Sequence, residues 1–457
     1  MKKVLLFLLI FICSLTIVYA QDEYVQKWNN DNISVEAIKH MIQTDDGLIV
    51  GGYDHDFVVQ LAKYDHNGKE VKTLKLEYEG TVCGFFEKDG KYYFITTDDD
   101  NWWEVHIYEI TVDLSIVRHM ATGYHMEGWN EQVELVDNNL YITSTNFGSV
   151  DGVYDNDDTY YDYFYIDLKD FSTHHGNADE WNFDVFSKEK KDLIKLNSIG
   201  VPAIDVKEKD NMMIVGGKYS PYDDASGFIH FYEKSNTDIT ELYSNNSYVN
   251  KNELDVGNWY THIVTLDEYI VAGGENYQAL DFFNNKGEKV DTINLIKDLY
   301  DSDESKKYIQ LEDMIYQDGR FSVAYQVCDV VDDFPKNCKS GIVVFQKKFK
   351  IETKTDGLGT VLAKTEEYGS EDVTLIIEPN EGYQIKEVKV MDKNGNVILV
   401  TDNKTFTMPF ADVLIDVTFE PKNPETLSGV TMIIVFIASI CAAYVIIINY
   451  RKLRWLR

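Results

Sequence analysis

Short apolar runs separated by turn residues fill positions 33–350 of this 457-residue chain. The runs are rich in Val, Ile, Tyr and Phe and are bounded by Asp, Asn and Gly, a pattern typical of β-strands. Helical periodicity is weak and appears only near 186–196 and 293–313. The pattern therefore predicts an all-β region with few helices.

The strands recur as a unit in which a turn is followed by an apolar strand and then by a second strand with aromatic residues. The turn centres fall near 47, 90, 139, 211, 268 and 319, and a propeller blade takes about 40–50 residues. Asp-Gly and Asn-containing turns supply the positive φ that a tight hairpin needs. The spacing predicts a propeller-like domain of five to seven blades over residues 21–348, and an array of β-sandwiches is the structural alternative.

Three of the units contain a Gly-Gly pair, at 51–52, 216–217 and 273–274, which allows one backbone to approach another closely. With the turn pattern, these pairs resemble β-propellers of the Kelch-like and outer-surface repeat type. The resemblance implies a ring of blades and no particular activity.

Residues 349–420 have a different character. They contain Gly357-Leu358-Gly359-Thr360-Val361, Pro379-Asn380-Glu381-Gly382-Tyr383 and Phe406-Thr407-Met408-Pro409, and they close with an alternating strand from Val413 to Phe419. In this order the motifs closely resemble the bacterial surface repeat related to the internalin B-repeat. The resemblance implies a small β module of cell-surface proteins that acts as a spacer or adhesive unit.

The N-terminal segment, residues 1–20, predicts a secretory signal peptide. Lys2 and Lys3 precede an apolar run from Val4 to Val18, and Ala20 stands at the −1 position of a cleavage site before Gln21. An uncleaved anchor helix is the alternative.

A second apolar segment, residues 430–449, predicts a transmembrane helix. The run from Val430 to Ile448 has no charge and would extend about 28 Å as a helix, enough to cross the hydrocarbon layer. Four basic residues occur in the tail, 450–457, and positive flanks stay cytoplasmic, so the bulk of the chain is expected outside a cell membrane as a single-pass protein.

The linker at 421–429 contains a short Pro/Thr motif, Asn423-Pro424-Glu425-Thr426. Together with the apolar span and the basic tail, it resembles a variant sortase sorting signal of Gram-positive bacteria. The resemblance implies cleavage after Thr426 and attachment to the cell wall. A polar linker before an ordinary stop-transfer helix is the alternative.

The formal net charge of −34 further limits the partners. All 77 acidic residues lie between the two apolar ends, and such a field repels nucleic acid. The exported part has three cysteines, and Cys328 and Cys338 flank a loop between two strand-like runs, so a disulfide between them is plausible. Cys83 is then expected to be a buried thiol.

Several clusters carry side chains that suit ligand binding, and none forms a catalytic motif. Three acidic runs, 98–100, 155–158 and 301–304, could ligate calcium, although none has the EF-hand spacing. His174 and His175 lack a matching ligand pair for a metal. Aromatic side chains stand beside acids at Trp102-Trp103-Glu104 and Tyr160-Tyr161-Asp162-Tyr163, which suits the stacking of sugar rings.

The sequence thus predicts a membrane-anchored surface protein of a Gram-positive or related bacterium, without a cofactor and without an enzymatic role. Its expected role is binding or adhesion to a glycan or protein ligand. The alternatives are an exported propeller enzyme acting on glycans, which requires carboxylates converging in a central pocket, and a sortase-attached structural wall protein.

Overall fold

The computed structural model describes residues 24–422 together with 437–440 and 443–444. The gaps within the first range are 127–129, 147–148, 151, 178–183, 200, 202, 219–226, 234–237, 245–259, 275–276, 301–306, 332–333 and 403. The predicted signal peptide and the sorting motif lie outside the described residues. The chain divides into two compact units, residues 1–348 and 349–457, and strands dominate in both.

The first unit consists mainly of strands. They are β1 (Tyr24–Asn30), β2 (Ala37–Thr44), β3 (Gly47–Tyr53), β4 (Val58–Asp65), β5 (Glu70–Lys88), β6 (Lys91–Asp98), β7 (Glu104–Ile110), β8 (Ile116–Met126), β9 (Asn130–Val136), β10 (Asn139–Asn146), β11 (Ser149–Val150), β12 (Val153–Asp155), β13 (Tyr160–Tyr161), β14 (Tyr163–Asp167), β15 (Thr173–Gly176), β16 (Ala203–Lys209), β17 (Met212–Lys218), β18 (Gly227–Glu233), β19 (His262–Thr265), β20 (Ile270–Gly274), β21 (Tyr277–Phe283), β22 (Lys289–Asn294), β23 (Lys307–Gln317), β24 (Arg320–Val331) and β25 (Phe334–Thr355), the last of which continues into the second unit.

Three helices interrupt these strands: α1 (Lys188–Ser198), α2 (Ile239–Ser244) and α3 (Leu295–Tyr300). Two of them, α1 and α3, fall in the two stretches where the sequence has weak helical periodicity. The first begins at an N-cap, where the Ser187 hydroxyl accepts a hydrogen bond from the Lys190 N–H.

In the described part of the first unit, most strands form six antiparallel groups, of which the first five are meanders. They are sheet 1 (β2–β3–β4–β5), sheet 2 (β5–β6–β7–β8), sheet 3 (β9–β10–β14–β15), sheet 4 (β16–β17–β18), sheet 5 (β19–β20–β21–β22) and sheet 6 (β23–β24–β25–β1). The long strand β5 serves two sheets, because its first half pairs with β4 and its second half with β6. From sheet 1 to sheet 5, the chain leaves each sheet and enters the first strand of the next.

The first strands of the sheets follow one another in a ring. Contacts join β5 to β2 and to β9, β16 to β19, and β23 to both β19 and β2, while α1 contacts β10 and β11 of one side and β16 of the other. Two aspartates connect neighbouring sheets directly. Asp313 accepts a hydrogen bond from the Met41 N–H at 2.8 Å, and Asp205 accepts one from the Ile263 N–H at 2.8 Å. This circular order is propeller-like, and six sheets lie within the predicted range.

The N-terminal strand closes the ring. Strand β1 pairs antiparallel with β25, with Tyr24 opposite Lys347 and Asn30 opposite Ile342, and thereby becomes the outer strand of sheet 6. The Tyr24 side chain is 1% exposed within the core of sheets 5 and 6. On the same strand, Asn29 accepts a hydrogen bond from the Tyr325 hydroxyl at 2.6 Å. The sequence did not predict this strand.

One turn position repeats in four of the six sheets. The residue that follows the first strand has a φ of 51–54° in each, and it is an aspartate every time: Asp89, Asp137, Asp210 and Asp318. Asp and Asn tolerate this left-handed conformation better than other non-glycine residues because their short side chains bond locally. The recurring Asp turns in the sequence therefore mark the hairpins that begin the blades.

The second unit contains the short strands β26 (Gly359–Leu362), β27 (Glu366–Tyr368), β28 (Asp372–Thr374), β29 (Ile376–Pro379), β30 (Tyr383–Asp392), β31 (Val397–Ile398), β32 (Thr405–Thr407) and β33 (Val413–Pro421). In β33, buried and half-buried residues alternate as the sequence predicted, and the strand runs parallel to residues 351–355. Gly359 of the Gly-x-Val motif lies against the buried Phe419 ring, where an added Cβ would come within 2.3 Å of a ring carbon. The glycine of the motif is thus required by packing.

No helix among the described residues is long and apolar enough to cross a membrane. Of the predicted span at 430–449, only 437–440 and 443–444 are described, and both stretches are helical. The remainder of that span lies outside the described residues, so the anchor stays a prediction.

Candidate functional site

The two aromatic clusters of the sequence meet at the outer edge of sheet 2. The first lies in the connection between β6 and β7, directly after a short 3₁₀ turn at Asp99–Asn101. The second lies on the hairpin β12–β13, which is inserted in the sequence between β10 and β14 of sheet 3. Strand β12 of this hairpin pairs with β8 of sheet 2. This inserted hairpin brings the two clusters together.

Between them is a surface pocket of about 610 Å³. We call it the aromatic pocket, and it is lined by Asn101, Trp102, Trp103, His125, Tyr154, Asp155, Asn156, Asp158 and Tyr160. Pockets that bind small molecules commonly combine aromatic walls with a few placed polar groups. The aromatic pocket has both.

The two tryptophans are exposed and backbone-strained. Trp102 is 74% exposed and Trp103 is 52% exposed, with φ values of 56° and 59°. A bulky residue in the left-handed region costs on the order of 1–2 kcal/mol, and such strain concentrates at binding sites. The Trp102 carbonyl accepts hydrogen bonds from His125 Nδ1 at 3.1 Å and from the Tyr154 hydroxyl at 3.4 Å. The fold therefore holds two large apolar faces towards solvent at an energetic cost.

One wall of the aromatic pocket is fixed by ring stacking. The His125 and Tyr154 rings lie 5.1 Å apart at an angle of 14°, and Tyr160 packs against Tyr154 at 5.6 Å. His125 Nε2 also lies 2.9 Å from Asn156 Oδ1. This wall joins the inserted hairpin to β8, so its aromatic surface is preorganised.

Asp155 supplies a carboxylate at the rim. It accepts hydrogen bonds from the N–H groups of Thr159 and Asp157 at 3.0 Å and from the Tyr161 hydroxyl at 3.0 Å. The Thr159 N–H bond is the largest of the effects that hold the pKa of Asp155 below its ordinary value. Ionised carboxylates and amides beside aromatic faces can accept from sugar hydroxyl groups while a ring stacks on the indoles.

The remaining members of the two aromatic clusters have other environments. Glu104 lies next to the pocket lining and accepts from the Gly123 N–H at 2.9 Å and from the Asn101 amide. Tyr161 stacks on His175 at 3.7 Å, and Tyr163 belongs to β14 of sheet 3. The run of four residues at 160–163 is therefore divided between two sheets.

The acidic clusters and the histidine pair form no metal centre in the part of the chain that is described. Asp98 caps the 3₁₀ turn by accepting from the Asp100 N–H, and Asp155 organises its own turn. The run at 301–304 lies outside the described residues. His174 stacks on Tyr165 at 4.9 Å, whereas the His175 ring contacts Tyr161 and Tyr124.

The cysteines have distinct roles. Cys328 and Cys338 form a disulfide between β24 and β25, and Cys83 is buried in the core shared by sheets 2 and 3. Asn423, Pro424, Glu425 and Thr426 of the sorting motif lie outside the described residues, so sorting stays a prediction.

A second cavity, of about 390 Å³, lies where sheets 4, 5 and 6 meet α1. We call it the central cavity, and it is lined by Glu189, Asp205, Lys207, His262, Ile263, Val264, Thr265, Asp313, Met314, Ile315 and Tyr316. Three carboxyl groups and one ammonium group therefore line the same open pocket.

The charges in the central cavity interact strongly. Burial raises the pKa of Asp313 to about 7, whereas the nearby Asp205 carboxylate raises the pKa of Lys207. The Lys207 Nζ atom lies 3.4 Å from Asp205 Oδ1. Burial also lowers the pKa of His262 to about 4, so this imidazole is neutral at pH 7.

Sequence reasoning missed the central cavity, although a signal was present. Asp205, His262 and Asp313 each stand six residues before a turn centre of the repeat, at 211, 268 and 319. The two aspartates also directly follow β-bulges, which redirect a side chain. A polar residue at one fixed offset in successive units indicates a shared face, which here is the inside of the ring.

Comparison with known proteins then identifies the second unit. Residues 349–423 match the divergent InlB B-repeat domain. The predicted resemblance of this module is thus confirmed, and we call residues 349–423 the B-repeat module. No curated protein matches the sequence of this chain.

Among solved structures, a neuraminidase-like protein of subtype N11 from influenza A of a flat-faced bat (H18N11) is 9% identical. The alignment covers 66% of this chain and 69% of that chain, with a TM-score of 0.28. A europium-containing methanol dehydrogenase is 10% identical. The alignment covers 67% of this chain and 81% of the dehydrogenase chain, with a TM-score of 0.31. Likenesses at this level carry no information on the activity of this chain.

Proposed function

We propose that the protein is a bacterial cell-surface protein that binds carbohydrate through the aromatic pocket. The observation that carries this proposal is the pair of exposed, backbone-strained tryptophans beside the Asp155 carboxylate. Exposed tryptophans without a role are unfavourable for a secreted protein, and a strained backbone adds to that cost. A sugar ring offers an apolar face for the indoles and hydroxyl groups for the carboxylate.

The remaining architecture supports display outside a cell. The B-repeat module follows the sheet domain directly, at residues 349–423. In this proposal it acts as a stalk, the helix at 430–449 anchors the chain in the cell membrane, and the signal peptide directs export. The net charge of −34 suits an exposed soluble domain and disfavours nucleic acid as a partner.

The first test is glycan binding by the full-length chain purified in detergent. Wild type is expected to bind a subset of glycans on an array, and Trp102→Gly is expected to weaken that binding by about tenfold or more. Because glycine relieves the strain at φ 56° and the indole is 74% exposed, the same substitution is expected to leave thermal stability equal or higher.

Phe334→Ala is the matched control. Phe334 is another exposed aromatic residue of the same unit, at 68%, and it lies outside the aromatic pocket. Its substitution is expected to leave glycan binding unchanged. Absence of binding across the array, or equal loss in the two variants, contradicts the proposal.

Anchoring is tested separately on intact cells. If the helix at 430–449 is retained, detergent releases the protein and wall hydrolases alone do not. If a sortase cuts after Thr426 instead, wall hydrolases alone are expected to release the protein. Thr426→Ala is then expected to retain the protein in the membrane. A tag placed after Arg457 is expected to be protected from protease added outside, and its digestion contradicts the proposed orientation.

An exported enzyme acting on glycans is the second candidate function. It is favoured by one observation, the three carboxyl groups in the central cavity, of which Asp313 has a pKa raised to about 7. Shortened glycans recovered after incubation with wild type but not with Asp313→Asn support it. Intact glycans support binding without catalysis, which is the function we propose.

A further inference from the structure

We propose that the central cavity is a second binding site, for a small organic molecule that carries a protonated amine. The proposal is independent of the aromatic pocket and concerns a different part of the ring. It rests on an open pocket of about 390 Å³, on the three carboxyl groups that line it, and on the way the backbone holds them.

The three carboxyl groups come from three different elements. Asp205 lies on β16, Asp313 on β23 and Glu189 in the first turn of α1, which stands between sheets 3 and 4. In a propeller-like ring, residues of the first strands face the middle of the fold. All three residues are half-buried, and carboxyl groups partly removed from water are costly unless they are neutralised or bonded, so their convergence favours a cationic occupant.

Each carboxyl group is held in place by a backbone N–H group. Asp205 accepts from Ile263 at 2.8 Å, and Glu189 accepts from Glu208 at 2.5 Å. Asp313 accepts from Met41 and from Met314, both at 2.8 Å. A carboxylate has about four acceptor positions, so every group retains the capacity to accept a further hydrogen bond. The acceptors are thus preorganised before a ligand arrives.

The charge of the cavity also favours a cation. Lys207 is the ammonium group in the lining, and Asp205 lies 3.4 Å from it. Asp205, and to a smaller extent Glu189 and Asp313, raise the pKa of Lys207, so one ammonium group faces three carboxyl groups. Burial raises the pKa of Asp313 to about 7, so its charge is only partly developed at neutral pH. A bound ammonium group compensates that charge, and its binding is accordingly coupled to loss of a proton from Asp313.

A metal ion fits this cavity less well than an organic amine. Among the described residues, no group of three His, Cys, Asp or Glu side chains has the arrangement of a metal site. The lining also includes apolar side chains and the Tyr316 ring, which suit the carbon skeleton of an organic molecule. A molecule of a few carbon atoms with one or two amino groups matches the volume of about 390 Å³.

The titratable groups around Asp313 include two histidines, on β2 and β19, and three lysines, on β2, β16 and α1. On β2 the pKa of His40 is lowered to about 4, mainly by burial, and the same holds for His262 on β19, so both imidazoles stay neutral. Lys39 on β2 pairs with Glu312, and Lys207 remains charged. On α1, burial lowers the pKa of Lys190, whose ammonium group bonds to Gln132 at 3.0 Å.

The test is calorimetry of the full-length chain with ethanolamine, propylamine and putrescine, and with ethylene glycol as a neutral counterpart. At least one amine is expected to bind at pH 8, and ethylene glycol is not. Because a group with a pKa of about 7 is mostly protonated at pH 5.5, the affinity is expected to fall about 30-fold from pH 8 to pH 5.5. Titrations at pH 7 in two buffers of different ionisation enthalpy are expected to show proton release.

Two variants test the assignment. Asp313→Asn is expected to weaken amine binding and to remove its pH dependence. Glu189→Gln, which leaves the bond between Asp313 and Met41 intact, is expected to weaken binding but to retain the pH dependence. Asp56→Asn, at an exposed loop position of the same unit, and Trp102→Gly are the matched controls and are expected to bind the amine as wild type does.

The outcomes separate this proposal from the carbohydrate site. Amine binding that Trp102→Gly leaves unchanged supports the central cavity, whether or not glycans bind. The proposal is overturned if no amine binds at pH 8, or if Asp313→Asn and Glu189→Gln, both folded by circular dichroism, bind the amine with wild-type affinity.

Discussion

Replacement of Tyr24 by alanine is expected to lower the free energy of unfolding of the sheet domain by about 3–5 kcal/mol. Tyr24 is 1% exposed and packs in the core shared by sheets 5 and 6, and its hydroxyl donates to the Tyr316 hydroxyl at 3.3 Å. The substitution leaves a large cavity and weakens the strand that closes the ring. Denaturant titration followed by tryptophan fluorescence measures the effect, because residues 349–422 contain no tryptophan.

Val25→Ala is the matched control for this prediction. Val25 is the next residue on the same strand, and its side chain is 43% exposed because successive side chains of a strand point to opposite faces. Its truncation is expected to change stability by less than about 0.5 kcal/mol. Similar losses in the two variants would show that β1 contributes little to closure.

In the B-repeat module, Leu375→Ala is expected to cost about 2–5 kcal/mol, whereas Leu399→Ala is expected to cost less than about 0.5 kcal/mol. Leu375 is 3% exposed and belongs to the core of the module, and its N–H donates to the Lys404 carbonyl at 2.8 Å. Leu399 is 89% exposed, so the same chemical change removes little packing.

Native-state hydrogen exchange of backbone amides in β30 and β33 measures this difference. These strands pair along most of their length and contribute to the same core as Leu375. Leu375→Ala is expected to reduce their protection strongly, and Leu399→Ala is expected to leave it unchanged. Equal protection in the two variants would refute the assignment of the module core.

The parts of the fold that the sequence revealed depend on local interactions. A left-handed backbone conformation in the turn between two strands limits which residue types fit at that position. Asp89, Asp210 and Asp318 can therefore be recognised from a few neighbouring residues. The alternation from Val413 to Phe419 is similarly local, because one face of β33 is buried. The B-repeat motifs were also recognisable from the sequence, and one of their glycines, Gly359, is required because the Phe419 ring packs against it.

The parts that the sequence did not reveal depend on distant pairing. The four residues at 160–163 are adjacent in sequence, but Tyr160 and Tyr161 pair with β12 beside sheet 2, while Tyr163 begins β14 in sheet 3. Both aromatic clusters were recognised as candidates for sugar binding. Their meeting in one pocket depends on the inserted hairpin, whose partner strand β8 lies some 30 residues earlier in the chain.

The central cavity illustrates the same limit. Asp205 and Asp313 are two of many acidic residues, and neither belongs to a recognised motif. Their equal distance from the repeat turns could be read from the sequence, but their convergence requires the ring to be closed. Only the hydrogen bonds to Met41 and Ile263 show that both side chains connect neighbouring sheets.

The pairing of β1 with β25 has a consequence for biosynthesis. The first strand to leave the ribosome finds its neighbour only after more than 300 further residues have been made, and contacts so remote in the chain slow folding. Until then the edge of β25 is open to pairing with other chains. The nascent polypeptide therefore depends on protection from aggregation until the last blade has been synthesised.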